Sequence, residues 1–228
     1  MKRILVVTAF LVTQVIPAIC TAASARQGGY MSAFLGVNVN SDTDVASTDF
    51  IANRDFSDRV AFDPSLNIGA TAGYDFGMVR LEGELSFKHA GIRSVTSQID
   101  GFQFHNVNGS IGASTLLLNG FYDLHNDSRF TPYLGGGIGF ASLYLSDTTG
   151  IDTRGVASRV TLYGAENDTV FAWQVGTGVA IALNHQCSLD LGYRYFMTGK
   201  GNFDSDLGIA TSMRFVGHNV AAGIRLNF

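Results

Sequence analysis

Cysteine and proline are nearly missing from this chain of 228 residues, which holds two of the first and three of the second. Cys20 lies in an N-terminal segment that reads as a removable leader, so the mature chain is expected to keep Cys187 alone. A lone thiol excludes an intrachain disulfide framework and a cysteine-based metal site. Charge is thin as well: 15% of residues are Asp, Glu, Lys or Arg against 46% hydrophobic, and mean hydropathy is +0.18. An oily average of this kind usually comes from helices, which need about 20 consecutive apolar residues to cross a bilayer. Past the N-terminus no such run exists. Basic residues are outnumbered 15 to 19 by acids and form no stripe, which speaks against nucleic acid as a partner. The histidines at 89, 105, 125, 185 and 218 show no metal-ligand spacing, and "GGGIGF" and "GTGVA" match no phosphate-loop pattern. No metal, cofactor or catalytic set is expected.

The N-terminus has its own logic. Lys2 and Arg3 precede the apolar "ILVVTAFLVTQVI", and "ASA" at 23–25 supplies the small residues of a cleavage site. The organisation expected is a signal peptide over 1–25, with cleavage after Ala23 as the alternative, and one domain over 26–228. Ile19 is too bulky for Cys20 to be a lipoprotein acceptor. Losing Lys2 and Arg3 takes the formal charge from −4 to −6.

What the chain does have is alternation. In "HNVAAGIRLNF" Val220, Ala222, Ile224, Leu226 and Phe228 form one apolar side, against Asn219, Ala221, Gly223, Arg225 and Asn227. "VRLEGELSFK" sorts Val79, Leu81, Leu85 and Phe87 from Arg80, Glu82, Glu84 and Lys88. "YMSAFLGVNV", "LNIGATAGYDF", "LLLNGFYDL", "PYLGGGIGFASLY", "FAWQVGTGVAIAL" and "SLDLGYRYFM" follow the same rule, with Phe34 as an exception. No segment carries a 3.6-residue period, and the 27 glycines fit short strands better than helices. These runs make about eight strands, each near the 9–11 residues a tilted strand needs to cross a bilayer.

The connections choose between a sandwich and a barrel. Short polar turns at 76–78, 125–131 and 184–187 alternate with long connectors at 40–65, 89–108, 146–169 and 198–212. Short turns at one end and long loops at the other predict an antiparallel, eight-stranded, up-and-down transmembrane β-barrel in the outer membrane, with the short ends in the periplasm. Aromatics sort the same way. Tyr74, Phe76, Tyr122 and Phe228 fall at inner strand ends, while Phe87, Tyr144, Phe171, Trp173, Tyr193 and Tyr195 fall in the outer half. Two such bands are the girdles expected at the two lipid interfaces.

An eight-stranded barrel has an interior that side chains just fill. Arg80, Glu82, Glu84, Lys88, Asp190, Arg194 and Arg225, with Asp75 and Asp123 near the periplasmic end, are therefore expected to form a structural lumen charge network. An unpaired buried charge costs several kcal/mol, so each needs a partner. Lumen-facing glycines are expected to make room for the long side chains. Two alternatives follow from the same barrel. A narrow porin-like channel requires an open lumen. A lipid-modifying enzyme requires a Ser/His/acid cluster, and Glu84, Ser86 and His89 supply the residue types, but His89 has the opposite parity. The connector at 40–65 is acidic and Ser/Thr-rich, and is expected to be a mobile, solvated loop. It and the connector at 146–169 are the expected contacts for a host or surface ligand.

"RLEGELSFK", "TPYLGGGIGFA", "FAWQVGTGVA", "LDLGYRYF" and "VAAGIRLNF" together resemble the OmpA-like, opacity-type outer-membrane β-barrel family of Gram-negative bacteria, across residues 26–228. The resemblance implies insertion by the barrel assembly machinery, with Phe228 and the alternating residues before it as the assembly signal. It also implies outer-membrane lipid as the surroundings, and a surface antigen, adhesin or porin-family role. No peptidoglycan-binding domain of the full-length OmpA kind follows the barrel segment, so a cell-wall tether is not expected. The function expected is a non-enzymatic, structural or surface-interaction barrel.

Overall fold

The alternating segments form thirteen antiparallel strands in the computed structural model, which describes residues 27–49, 54–124, 126, 128–205 and 209–228. The signal peptide read over 1–25 lies outside the described residues. In chain order the strands are β1 (Gly28–Asn40), β2 (Thr43–Asp49), β3 (Arg54–Phe62), β4 (Ser65–Asp75), β5 (Val79–Ser97), β6 (His105–Asn108), β7 (Ser110–Asp123), β8 (Phe130–Leu145), β9 (Thr148–Asp152), β10 (Ser158–Tyr163), β11 (Glu166–Ala182), β12 (Cys187–Ser205) and β13 (Ile209–Asn227).

Eight of them close a ring. β1 pairs with β4, then β5, β7, β8, β11, β12 and β13 follow, and β13 returns to β1 with Tyr30 opposite Asn227 and Val37 opposite Val220. Closure leaves no unpaired sheet edge in the lipid, which is what a strand protein needs there. The outward side chains in this part are large and apolar: Leu35, Ile68, Leu85, Leu118, Ile138, Val175, Leu191 and Ile224 all lie exposed on the ring's outer wall. The inward ones are polar or charged and buried.

Among the described residues the four long connectors are largely strand rather than loop. The segment at 40–65, expected to be mobile, is largely the β2–β3 hairpin. β2 pairs with β13 from Ala46 to Asp49, and β3 pairs with β5 from Asp58 to Phe62. Above the point where β1 and β4 stop, the hairpin takes their place in the wall. The ring continues outward as β13, β2, β3, β5 and onward. Likewise β5, β12 and β13 run 19 residues each, well beyond the 9–11 that cross a bilayer. At 146–169, β9 and β10 form a hairpin, and β9 also pairs with β6 from the connector at 89–108, giving a second sheet of three strands.

The extension explains a reversal in the alternation. On β5, Leu81, Leu85 and Phe87 face out while Ala90, Ile92 and Val95 face in. On β13, Val220 and Ile224 face out while Met213 and Phe215 face in. On β8, Ile138 and Phe140 face out while Ala141, Leu143 and Leu145 face in. Where lipid surrounds the wall, apolar groups go outward. Above the lipid the wall is in water, so the same strands must build an ordinary apolar core inside. The change of phase marks the outer water line.

Candidate functional site: a sealed lumen and a stapled cap

The lumen has two storeys. In the lower one the predicted charges meet in pairs. Arg80 Nε donates to Asp123 Oδ2 at 2.6 Å, and Arg225 Nη2 to Asp190 Oδ2 at 2.5 Å. Arg194 Nη1 donates to Glu84, and its Nη2 lies 3.8 Å from Glu82. Neutral donors complete the carboxylates. Tyr30 donates to Glu82 at 2.7 Å and Tyr133 to Asp190 at 2.6 Å, while Asn119 and Gln174 each donate to Glu84 at 2.8 Å. Arg80 lies 4.9 Å from the Tyr133 ring centroid and 5.1 Å from that of Phe121. Phe34, the exception to its strand's pattern, faces in, with the Arg194 guanidinium 5.3 Å over its ring.

Two placements depart from the expected network. Lys88 makes no ion pair among the described residues. Its Nζ donates to Ser86 Oγ at 2.8 Å and sits 4.4 Å over the Phe196 ring, at the boundary with the upper, apolar storey. Asp75 spends its carboxylate on the adjacent turn, accepting from the Gly77 amide at 2.7 Å. The glycines do make room. A Cβ at Gly176 would stand 2.9 Å from Arg194 Cγ, and one at Gly178 would strike the Tyr133 hydroxyl. Between Arg80, Glu82, Tyr133 and Arg194 lies a cavity of about 20 Å³, room for about one water.

The upper storey is a dry plug centred on Val45, Val60, Val95, Ile111, Leu143, Phe196 and Phe203, each of these no more than 2% exposed. Phe104, Val107 and Leu162, from the connectors, pack on it from above. Tyr163 at the end of β10 reaches across the mouth and donates to Asp58 Oδ2 on β3 at 2.9 Å. Outside, Arg154 staples the two connectors together. It bonds Asp100 at 2.8 Å and Asp152 at 2.7 Å, and its guanidinium lies 4.6 Å over the Phe102 ring.

These cap contacts titrate in opposite directions. Burial raises the Asp58 carboxyl above its ordinary value, only partly offset by the Tyr163 hydrogen bond and the Arg154 charge. A raised carboxyl contributes its full stability below the unfolded value, about pH 4, and loses it as pH climbs through the folded value. Asp100 and Asp152 are lowered, chiefly by the Phe102 amide for the first and by Arg154 for the second. Their contribution is present above about pH 4 and fades only below it. Amide exchange in β10 is therefore expected to be slower at pH 5 than at pH 8 once corrected for intrinsic chemistry, and Asp58→Asn is expected to flatten that difference. An unchanged pH dependence in Asp58→Asn would remove Asp58 as the cause.

The outer wall carries the predicted aromatics. Tyr74 and Phe76 are 4.7 Å apart at the inner end beside Met78 and Tyr122, and Phe228 is exposed there, its amide bonded to Gly29 O at 2.9 Å. At the outer end Trp173 and Tyr195 are 5.8 Å apart, Tyr193 bonds His218 Nδ1 at 2.8 Å, and Phe171 stands opposite Phe140. Glu84 and Ser86 are buried in the lumen, while His89 is outside, stacked 6.4 Å from Phe87. The Ser/His/acid set is thus split across the wall. Sequence reasoning missed the dry plug, the cap staple and the Asp58–Tyr163 contact. The phase change in alternation was the signal for the plug.

Comparison with known proteins agrees with this architecture. The family model described as outer membrane protein beta-barrel domain matches residues 8–228. The outer membrane protein PagN of Salmonella typhimurium is 32% identical over 189 residues, 78% of this chain and 77% of that one. A Rickettsia bellii protein named "Putative adhesin" is 29% identical over 119 residues, 49% of this chain and 51% of its own. The crystal structure of OprG from Pseudomonas aeruginosa covers 90% of this chain and 99% of its own with a TM-score of 0.55 and 16% identity, a likeness of fold. A closed eight-stranded ring, an apolar outer wall and the family match over nearly the whole chain leave one assignment: the protein belongs to the outer membrane β-barrel family and resides in the bacterial outer membrane.

Proposed function

We propose that this barrel is a non-enzymatic surface protein whose capped outer end is a recognition platform. The observation that supports the reading most is the double seal: a lower lumen of paired charges around a cavity of about 20 Å³, and an apolar plug above it. A channel needs a water path, and a lumen enzyme needs substrate access. Neither has room. What the fold does offer outward is a rigid, stapled surface, with Ile99 and Val156 exposed at the connector tips around the Arg154 cluster. The relative carrying an adhesin name fits a role in attachment. Loops on a rigid scaffold are where such recognition is usually carried. The lumen pairs then serve structure alone, the two aromatic bands anchor the barrel in lipid, and Phe228 closes the segment offered to the assembly machinery.

Two measurements test the reading. Purified barrel in planar bilayers is expected to show no steady conductance, and large, stable steps would restore the channel. Bacteria displaying the protein are expected to bind host cells, with Ile99→Ser/Val156→Ser lowering adhesion about 30-fold, the size of one lost hot spot of about 2 kcal/mol. Undiminished adhesion in that variant, with its heat-sensitive gel mobility intact, would overturn the placement of the binding surface at the tips.

A further inference from the structure

We propose that β12 and β13 carry a site on the outer wall for a phosphorylated glycolipid of the outer leaflet. Lys200 and Arg214 are direct cross-strand partners, both exposed on the outer wall. Among the described residues neither pairs with a carboxylate, whereas the neighbouring outward cations do: Arg59 with Asp44 at 3.2 Å, and Arg93 with Asp63 at 2.8 Å. Two like charges directly opposite one another weaken a sheet, so their juxtaposition calls for an anion between them.

Their height says which anion. Reading up the outer faces of the two strands, Leu191 stands opposite Ala222, Tyr195 opposite His218, and Lys200 opposite Arg214. That order is hydrocarbon, aromatic interface, then positive charge, the sequence of layers in an outer leaflet read from its middle to its headgroups. Below the cations, a shallow groove of about 690 Å³ runs along the same wall past Leu191, Tyr193, Val220 and Ala222, where the short Ala222 side chain leaves a trough for an acyl chain. No comparable pair of free cations stands on β7 and β8, where Gly112 faces Tyr144. One molecule with a phosphate above and acyl chains below matches both features. A free phosphate or a sulfated polysaccharide would use only the upper one.

The test uses the full chain refolded into phosphatidylcholine vesicles doped with bisphosphorylated lipid A or with its dephosphorylated form, and measures the glycolipid retained after extraction. The phosphorylated form is expected to be retained preferentially. Lys200→Gln/Arg214→Gln is expected to lose roughly 30-fold of that preference, the size of two surface cations acting on an anionic lipid. Arg93→Gln is expected to change nothing, and inorganic phosphate is expected not to compete. Lys200→Glu provides a second variant, since it gives Arg214 an opposite charge across the strands and so protects folding while removing the site. Equal retention of both lipids, full retention in Lys200→Glu, or competition by inorganic phosphate would overturn the assignment. So would loss of sulfated-polysaccharide binding in the double variant with lipid preference unchanged.

Discussion

Arg194→Met is expected to cost about 3–5 kcal/mol of folding stability, because it leaves carboxylates buried without their cation. Arg194 is the only arginine in contact with Glu84 among the described residues, and it also faces Glu82. Glu84 is 1% exposed and Glu82 4%, so water cannot replace the lost charge. The stem packs against Gly176, and the guanidinium lies over Phe34 and Phe121, so methionine keeps part of the volume and the loss is chiefly electrostatic. Glu84→Gln/Arg194→Met is expected to recover most of the loss, since Asn119 and Gln174 remain to bond a neutral amide. Equilibrium unfolding in urea from lipid vesicles, followed by the single tryptophan, Trp173, reads both variants. A cost below about 1 kcal/mol for Arg194→Met would mean the pair is worth no more than an exposed ion pair, and the sealed lower lumen would have to be abandoned.

The sequence carried more of this molecule than its loops alone indicated. Strict alternation over "VRLEGELSFK", "SLDLGYRYFM" and "VAAGIRLNF" was enough to place Arg80, Glu82, Glu84, Arg194 and Arg225 inside and the aliphatic partners outside, because in lipid the direction of a strand's apolar face has one solution. Which cation meets which carboxylate was not legible. Arg80 is a Cα partner of Asp75 yet bonds Asp123 on the other neighbouring strand, and the choice depends on side-chain reach across a curved wall. The upper storey was hidden for a different reason. At 40–65 the acids Asp44, Asp55 and Asp63 face outward beside Arg59, Thr48 and Arg93, and reading composition alone turned a polar outer face into a loop. The inward row of Val45, Val60 and Phe62 has the opposite phase from the transmembrane strands, so a template tuned to lipid passed over it.

That distinction can be tested by one step along β3. Val60→Asp is expected to cost about 3–5 kcal/mol, by placing an unpaired carboxylate where nothing can solvate it. Val60 is fully buried, opposite Val95 across the strand pair, and its neighbour on the same inward face is Asp58, already desolvated and held by Tyr163. A second acid there adds repulsion to burial. Ala61→Asp, one residue on, points to the outer wall opposite Ser94 and is expected to change stability by no more than about 0.5 kcal/mol. The damage should also be local. The lower barrel keeps its lipid contacts and paired lumen, so Val60→Asp should retain heat-sensitive gel mobility while trypsin gains access to Arg59 in intact cells. A mobile loop predicts something else: equal tolerance of both substitutions and cleavage at Arg59 in the unaltered protein. If that is the outcome, the wall ends at the membrane, the inward row above it is no core, and the plug that seals the lumen goes with it.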